Sequence, residues 1–136
     1  MADLTITAAS VAKVANAATT SSYLAGAAIT AGQSVYLDTV TSTIKLADAD
    51  ALASSAAFGV ALNSAASGQP ITVQRSGSIT IGATVAVGVA YYVSTTAGGI
   101  CLESDLSTGD FPHFLGFATS TTVIALDPKA CGVAKA

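Results

Sequence analysis

The alternation of apolar and polar residues between Ile79 and Val93 constrains the fold of this chain more than any other feature. Every odd-numbered position in that stretch is apolar, and the even positions include threonine and glycine. A period of two fits a strand with one buried face, whereas the apolar positions of a helix recur every three or four residues. Gly82 and Gly88 interrupt the run where a bend or bulge would divide it into two strands. The region therefore predicts β structure.

Shorter strands are predicted on both sides of this run. Residues 35–37 and 44–46 are apolar-rich and flank a polar connection, which is typical of a hairpin. A short helical turn, capped by Asp48 or Asp50, is expected between residues 47 and 57. Further strands are predicted at residues 58–62, 71–74, 115–118 and 123–126.

The chain also contains an internal echo. When the sequence is aligned with itself at an offset of 56 residues, a turn, a strand and a tyrosine of the first half match similar positions in the second half. At an offset of 57 residues, a Gly-x-Ala pattern matches in the same way. This predicts an all-β fold, a small β-sandwich or barrel in which two similar hairpin units close around one core. The matching positions are Gly32 and Gly88, Tyr36 and Tyr92, Thr39 and Thr95, Ile44 and Ile100, Leu46 and Leu102, Gly59 and Gly116, and Ala61 and Ala118.

The two ends of the chain differ from this central pattern. Residues 3–7 alternate like a strand, and residues 8–28 are a low-complexity stretch of alanine, serine and threonine. Val11, Val14 and Ala18 form a weak helical stripe there, but an extended arm that orders on contact with a partner is an equally good interpretation. We therefore expect an N-terminal arm (1–27), a β domain (28–127) and a small-residue C-terminal tail (128–136).

The composition favours burial between subunits. Alanine, threonine, serine, valine and glycine make up 85 of the 136 residues, and tryptophan is absent. Large aromatic side chains, which give many compact monomers much of their buried area, are few. Small β-forming residues can instead be buried by close packing against other copies or a larger assembly, so a homo-oligomer is expected.

The charge pattern excludes several partners. The net charge is −3, and the five basic residues do not cluster, so no footprint for nucleic acid or an anionic membrane surface is present. The longest apolar stretch, residues 81–93, is shorter than the roughly 20 residues that a membrane span needs. No basic segment followed by a leucine-rich one predicts secretion, so we expect synthesis in a cytoplasm.

No group of residues has the spacing of a catalytic or metal site. Cys101 and Cys131 are not in a C-x-x-C pair, and reduced thiols are expected in a cytoplasm. Starting a calcium loop at Asp48 would place Ala53 and Gly59 at positions that require glycine and an acid. Other residues with possible chemistry are Glu103 and Asp105, interpreted as solvated acids, and His113, interpreted as a packed turn residue. We expect no enzymatic activity, no metal and no cofactor.

Seven stretches follow one another along the chain: residues 27–38, 45–50, 59–71, 76–82, 91–94, 97–100 and 115–118. Together they resemble small virion proteins of tailed bacteriophages of the head decoration (cement) or head-fibre type. The resemblance is one of style and order and covers most of residues 27–126. It implies a β-rich body, commonly trimeric, bound to the major capsid protein on the outer surface of the head. The expected location is therefore the capsid surface of a virion, with the protein made in the host cytoplasm.

Three hypotheses follow. The first is a capsid decoration protein that stabilises the shell by binding several coat subunits at once. The second is a tail or receptor-binding component, and the third is a small hydrolase built around His113. For the first, the residues expected at the capsid or subunit interface are Leu4, Ile6, Val11, Val14 and Arg75.

Overall fold

The computed structural model describes residues 3–14, 19–130 and 135, and strands dominate this part of the chain. Short 3₁₀ turns occur at Ala8–Ser10 and Glu103–Asp105, and the α-helix α1 spans Leu52–Ser55. The strands are β1 (Ala12–Lys13), β2 (Thr19–Ala25), β3 (Ser34–Asp38), β4 (Thr43–Leu46), β5 (Gly59–Ala61), β6 (Pro70–Thr80), β7 (Ala90–Val93), β8 (Ile100–Cys101), β9 (His113–Ala118) and β10 (Val123–Ala130).

The long strand β6 joins the two halves of the molecule. Its first part, up to Ser76, pairs with β2 and β5, and its last part, from Gly77 to Thr80, pairs with β10. β1 also pairs with the last part, at Ile79 and Thr80. The predicted strand at residues 71–74 is therefore only the start of a longer element that serves both halves.

In the first half, the strands form a closed ring. β2 pairs in parallel with β4, β4 with β3, β3 with β5, β5 with β6, and β6 again with β2. Closing a sheet on itself removes its exposed edges and lets inward side chains meet in one core. That core consists of Ala25, Ile29, Val35, Ile44, Ala61, Ala65, Ile71 and Val73.

In the second half, the strand order is β6, β10, β9, β7 and β8, with antiparallel pairing throughout. Val60 of β5 belongs to the core of this half although its neighbour Ala61 belongs to the first, because successive strand residues point to opposite faces. The two halves are therefore packed together. The larger buried side chains of the second core include Ile79, Ile81, Val85, Tyr91, Val93, Ile100, Leu115, Ile124 and Leu126.

The register of the strands confirms the internal repeat and the all-β fold. At the turn before β3, Gly32 N–H donates to Ala61 C=O at 2.8 Å, and before β7 Gly88 N–H donates to Ala118 C=O at the same distance. The paired residues of β3 correspond one by one to those of β7. These pairs are Tyr36–Lys45 and Tyr92–Cys101, Leu37–Ile44 and Val93–Ile100, and Val35–Gly59 and Tyr91–Gly116.

The Gly-x-Ala pattern has a steric cause that is the same in both repeats. A Cβ atom on Gly59 would overlap the carbonyl oxygen of Gln74, and one on Gly116 would overlap the carbonyl oxygen of Ala125. Glycine is needed where two backbones approach this closely. Gly59 and Gly116 therefore meet the same packing requirement in the two repeats.

The alternating run at residues 79–93 is divided as predicted. β6 ends at Thr80 and β7 begins at Ala90, and Gly82 and Gly88 both have positive φ, of +77° and +79°.

A helical turn is present as α1, but the predicted cap is wrong. Ala51 is the N-cap residue and makes no side-chain cap bond, while Asp48 Oδ1 accepts from Asp50 N–H and Ser54 Oγ–H.

The two ends pack on the body more closely than an arm and a tail would. β2 is part of the first ring, β1 pairs with β6, and Leu4 N–H donates to Ile100 C=O at 2.9 Å. β10 continues to Ala130, past residue 127. The strand predicted at residues 3–7 is wrong: those residues form no strand, because Leu4 and Thr7 each donate one backbone hydrogen bond without a continuous ladder. The parts of the N-terminal region that do join the sheet are β1 and β2. Ala18, the last residue of the weak helical stripe, lies outside the described residues.

Candidate interaction surfaces

Three aromatic rings form a patch on the outer face of the second half. The Phe114 ring lies 5.0 Å from that of Phe117 and 5.9 Å from that of Tyr92, centroid to centroid, both in edge-to-face geometry. Phe117 is 53% exposed, and the other two are half-buried. We call Tyr92, Phe114 and Phe117 the β7–β9 aromatic patch. Because edge-to-face contacts already hold the rings in place, binding a partner to the apolar patch would cost little further side-chain freedom.

A bulge in β9 brings the two phenylalanines to one face. Residues three apart in a regular strand point to opposite faces. Here Tyr91 pairs with Gly116 and Tyr92 with Phe114, so Leu115 is an extra residue in β9. The bulge keeps Leu115 buried while Phe114 and Phe117 stay in ring contact on the outside. The aromatic residues are visible in the sequence, but no sequence signal indicates the bulge that brings them to one face of the sheet.

Arg75 contributes to a second surface feature, at the junction of the two halves. Its guanidinium carbon lies 4.2 Å above the centre of the Phe58 ring, and Phe58 in turn contacts Tyr23 edge to face at 5.6 Å. A cavity of about 370 Å³ beside this stack is also lined by Asp127 and Pro128. A stacked cation of this kind is held in place yet remains exposed. Arg75 is thus available to a partner, as its predicted interface role requires.

The other predicted interface residues are divided between the interior and the surface. Val14 is 48% exposed. Leu4 and Ile6 pack against the second core, and Val11 is part of it. In this conformation Leu4, Ile6 and Val11 hold the start of the chain against its own body. Their use against a coat subunit stays a prediction and would require the segment to leave this place.

His113 is buried at the start of β9 and is only 4% exposed. Neither ring nitrogen has a hydrogen-bond partner among the described residues. Burial lowers the pKa of His113 to about 4, because the charged imidazolium would lose its hydration. The prediction of a packed ring is confirmed, although the residue lies in a strand and not in a turn.

Cys101 is buried in β8, and its Sγ lies 3.8 Å from the carbonyl oxygen of Val93. Burial, followed by the negative charges of Asp3 and Asp105, raises the pKa of the Cys101 thiol to about 12. The thiolate is the reactive form of cysteine, so this residue is poorly suited to nucleophilic chemistry. Cys131 lies outside the described residues.

Comparison with protein-family models and with curated proteins found no match. Within the described residues, no cluster of three histidine, cysteine or acidic side chains could hold a metal ion, and no helix is long and apolar enough to cross a membrane. The predicted acids have local roles: Glu103 forms an ion pair with Lys135 at 2.9 Å, and Asp105 accepts from Leu102 N–H at 3.3 Å. The β7–β9 aromatic patch and the exposed Arg75 are the candidate interaction surfaces of the described residues.

Proposed function

We propose that this protein is a structural component of a bacteriophage head that binds the outside of the shell and stabilises it. The β7–β9 aromatic patch is the observation that carries the proposal. It is apolar, held in place by ring–ring contacts and set on a sheet, which are the properties of an anchor for a protein partner. The resemblance of residues 27–126 to small virion proteins names the partner class, the major capsid protein.

The physical role follows from repetition. One patch of this size gives a modest interface, because only Phe117 is more than half exposed among its rings. Many copies on a lattice, or a trimer with three patches, would add their binding free energies through avidity. A protein that binds only the mature shell would stabilise that state in proportion to its affinity. The trimer and the location on the head are part of the proposal.

The first experiment counts copies in purified source particles by quantitative mass spectrometry. Hundreds of copies per particle, located on the head by cryo-electron microscopy, are expected for a decoration protein. A handful of copies at the tail would instead support the tail or receptor-binding alternative. Absence from the particle would contradict both.

The second experiment tests the patch. Phe117→Asp should weaken binding to shells stripped of this protein by at least tenfold, which corresponds to about 1.4 kcal/mol. Val40→Asp is the matched control, because Val40 is 92% exposed in the β3–β4 turn and lies on the other half of the molecule. Equal binding of the two variants in a co-sedimentation assay would refute the role of the patch.

A further inference from the structure

The two repeats differ at one position in their strand order, and this difference identifies a strand-binding slot. In the first repeat the end of β2 lies directly beside β4. Ala25 pairs in parallel with Ile44, and Gly26 N–H donates to Ile44 C=O at 2.7 Å. The shift of 56 residues places the counterparts of these positions at Ile81, Gly82 and Ile100. The first ring therefore predicts direct contact between β8 and the residues that directly follow β6, Ile81 and Gly82.

In the second repeat that contact is replaced. No β6–β8 pairing occurs among the described strands. Leu4 N–H donates to the Ile100 carbonyl at 2.9 Å, and Thr7 N–H donates to the Gly82 carbonyl at 2.8 Å. Residues 3–14, which we call the N-terminal segment, thus lie where the first ring closes by itself, and they comprise two hydrogen-bonded contacts at Leu4 and Thr7, the 3₁₀ turn Ala8–Ser10 and strand β1.

The segment continues along β6 after this insertion. Ala12 pairs with Thr80, and Val14 N–H donates to the Ser78 carbonyl at 3.1 Å. This main-chain pairing is the mode by which an extended peptide adds to an exposed sheet edge. Without the segment, the end of β6 and the Ile100 carbonyl would lack these partners.

Apolar side chains give the slot its specificity. Leu4 and Ile6 pack on the second core, and Val11 is 9% exposed within it. Gly32 leaves space for the segment, since a Cβ there would lie 2.5 Å from the Ile6 Cγ2 atom. Every copy of the chain carries this same sequence of backbone donors and apolar side chains, so a second copy has the complementary ligand.

The segment is not tightly enclosed. A cavity of about 350 Å³ lies beside Leu4, and another of about 340 Å³ is lined by Thr5, Thr7 and Ser10. Open space beside a strand weakens the dispersion attraction that holds the strand in place, because fewer atoms surround it. The hydrogen bonds and apolar packing would be restored in full by an identical segment from a neighbour, which is the condition for strand exchange.

We propose that the slot between β6 and β8 binds the N-terminal segment of a second copy, so that copies of this protein are linked by exchanged strands. The inference rests on the comparison of the two repeats and stands apart from the proposed function. It identifies Leu4, Ile6 and Val11 as the side chains that cross from one copy to the next.

The test uses full-length chains and one disulfide across the slot. Directly opposed strand residues lie within the Cα separation that a disulfide spans, so Ala12→Cys and Thr80→Cys are placed on differently tagged copies, each also carrying Cys131→Ser. The copies are coexpressed, oxidised and examined on a non-reducing gel. A covalent pair joining an A12C chain to a T80C chain is expected, and neither chain expressed alone should give that band.

A matched control separates exchange of the segment from exchange of a longer piece. Ser22 pairs with Thr72 in the first ring, so S22C and T72C on separate copies should give no covalent pair. The proposal is overturned if the A12C and T80C copies do not cross-link while the A12C/T80C double variant closes its disulfide within one chain at every concentration. Equal cross-linking of the S22C and T72C copies would also overturn it, because the whole N-terminal region would then exchange.

Discussion

The buried imidazole of His113 makes the stability of this protein depend on pH in a window that can be calculated. The pKa of His113 falls from the ordinary value of 6.5 to about 4 in the folded chain because burial strips the charged form of water. Between these values the unfolded chain binds a proton that the folded chain does not. Stability is therefore complete above pH 6.5 and falls as the pH is lowered through the window.

The size of the loss follows from the two pKa values. One pKa unit corresponds to 1.36 kcal/mol, so the full effect is on the order of 3 kcal/mol, of which about 2 kcal/mol is lost between pH 7 and pH 5. With a urea dependence of about 2 kcal/mol per M, the unfolding midpoint should fall by roughly 1 M over that range.

Urea unfolding followed by circular dichroism at pH 7 and pH 5 measures this loss, and His113→Asn removes the titrating group while retaining a polar side chain of similar shape. Between pH 7 and pH 5, the free energy of unfolding of the variant should fall only by the smaller amount that other titrating groups cause. The reasoning fails if wild type and H113N lose the same stability, or if the His113 ring protons titrate near pH 6.5 in the folded protein by NMR.

Three other outcomes are expected. Gly116→Ala should destabilise the protein by about 2 kcal/mol or more, since the new methyl group overlaps the backbone of Ala125; a thermal unfolding curve unchanged from wild type would contradict this. In a C131S background, Cys101 should react with a thiol reagent at pH 8 only as fast as the structure opens, because its thiol is buried and protonated; labelling at the rate of a free peptide would argue against burial. Lys45→Met should raise the pKa of Asp38, whose carboxylate accepts from Lys45 Nζ at 2.7 Å. The carboxyl carbon chemical shift of Asp38, followed across a pH titration, measures this pKa, and the same pKa in variant and wild type would contradict the prediction.

Much of the fold was predictable because it depends on local pattern. Period-two alternation predicted the region around β6 and β7, and the glycines at residues 82 and 88 predicted its division. The repeat was detectable because the same steric requirement, as at Gly59 and Gly116, recurs at a fixed spacing. Packing of the His113 ring was predictable from its apolar neighbours.

The candidate surfaces were less accessible to such reasoning. The β7–β9 aromatic patch depends on a bulge at Leu115, and a bulge is set by the pairing of two strands and not by the residues of one. The start of the chain was interpreted as an arm because small residues give little local preference. Its place between β6 and β8 is set by partners about 70 to 100 residues away in the chain.

The sequence by itself determined that this chain is all-β, that it is built from two related hairpin units, and where glycine must stand for their backbones to approach. Those properties are encoded by side-chain period and by the absence of a Cβ, which act over a few residues. Only the tertiary structure decided which half closes by itself and which takes in the N-terminal segment, and which aromatic rings remain outside. These outcomes depend on hydrogen-bond register between distant segments, where a slip of one residue reverses every side chain.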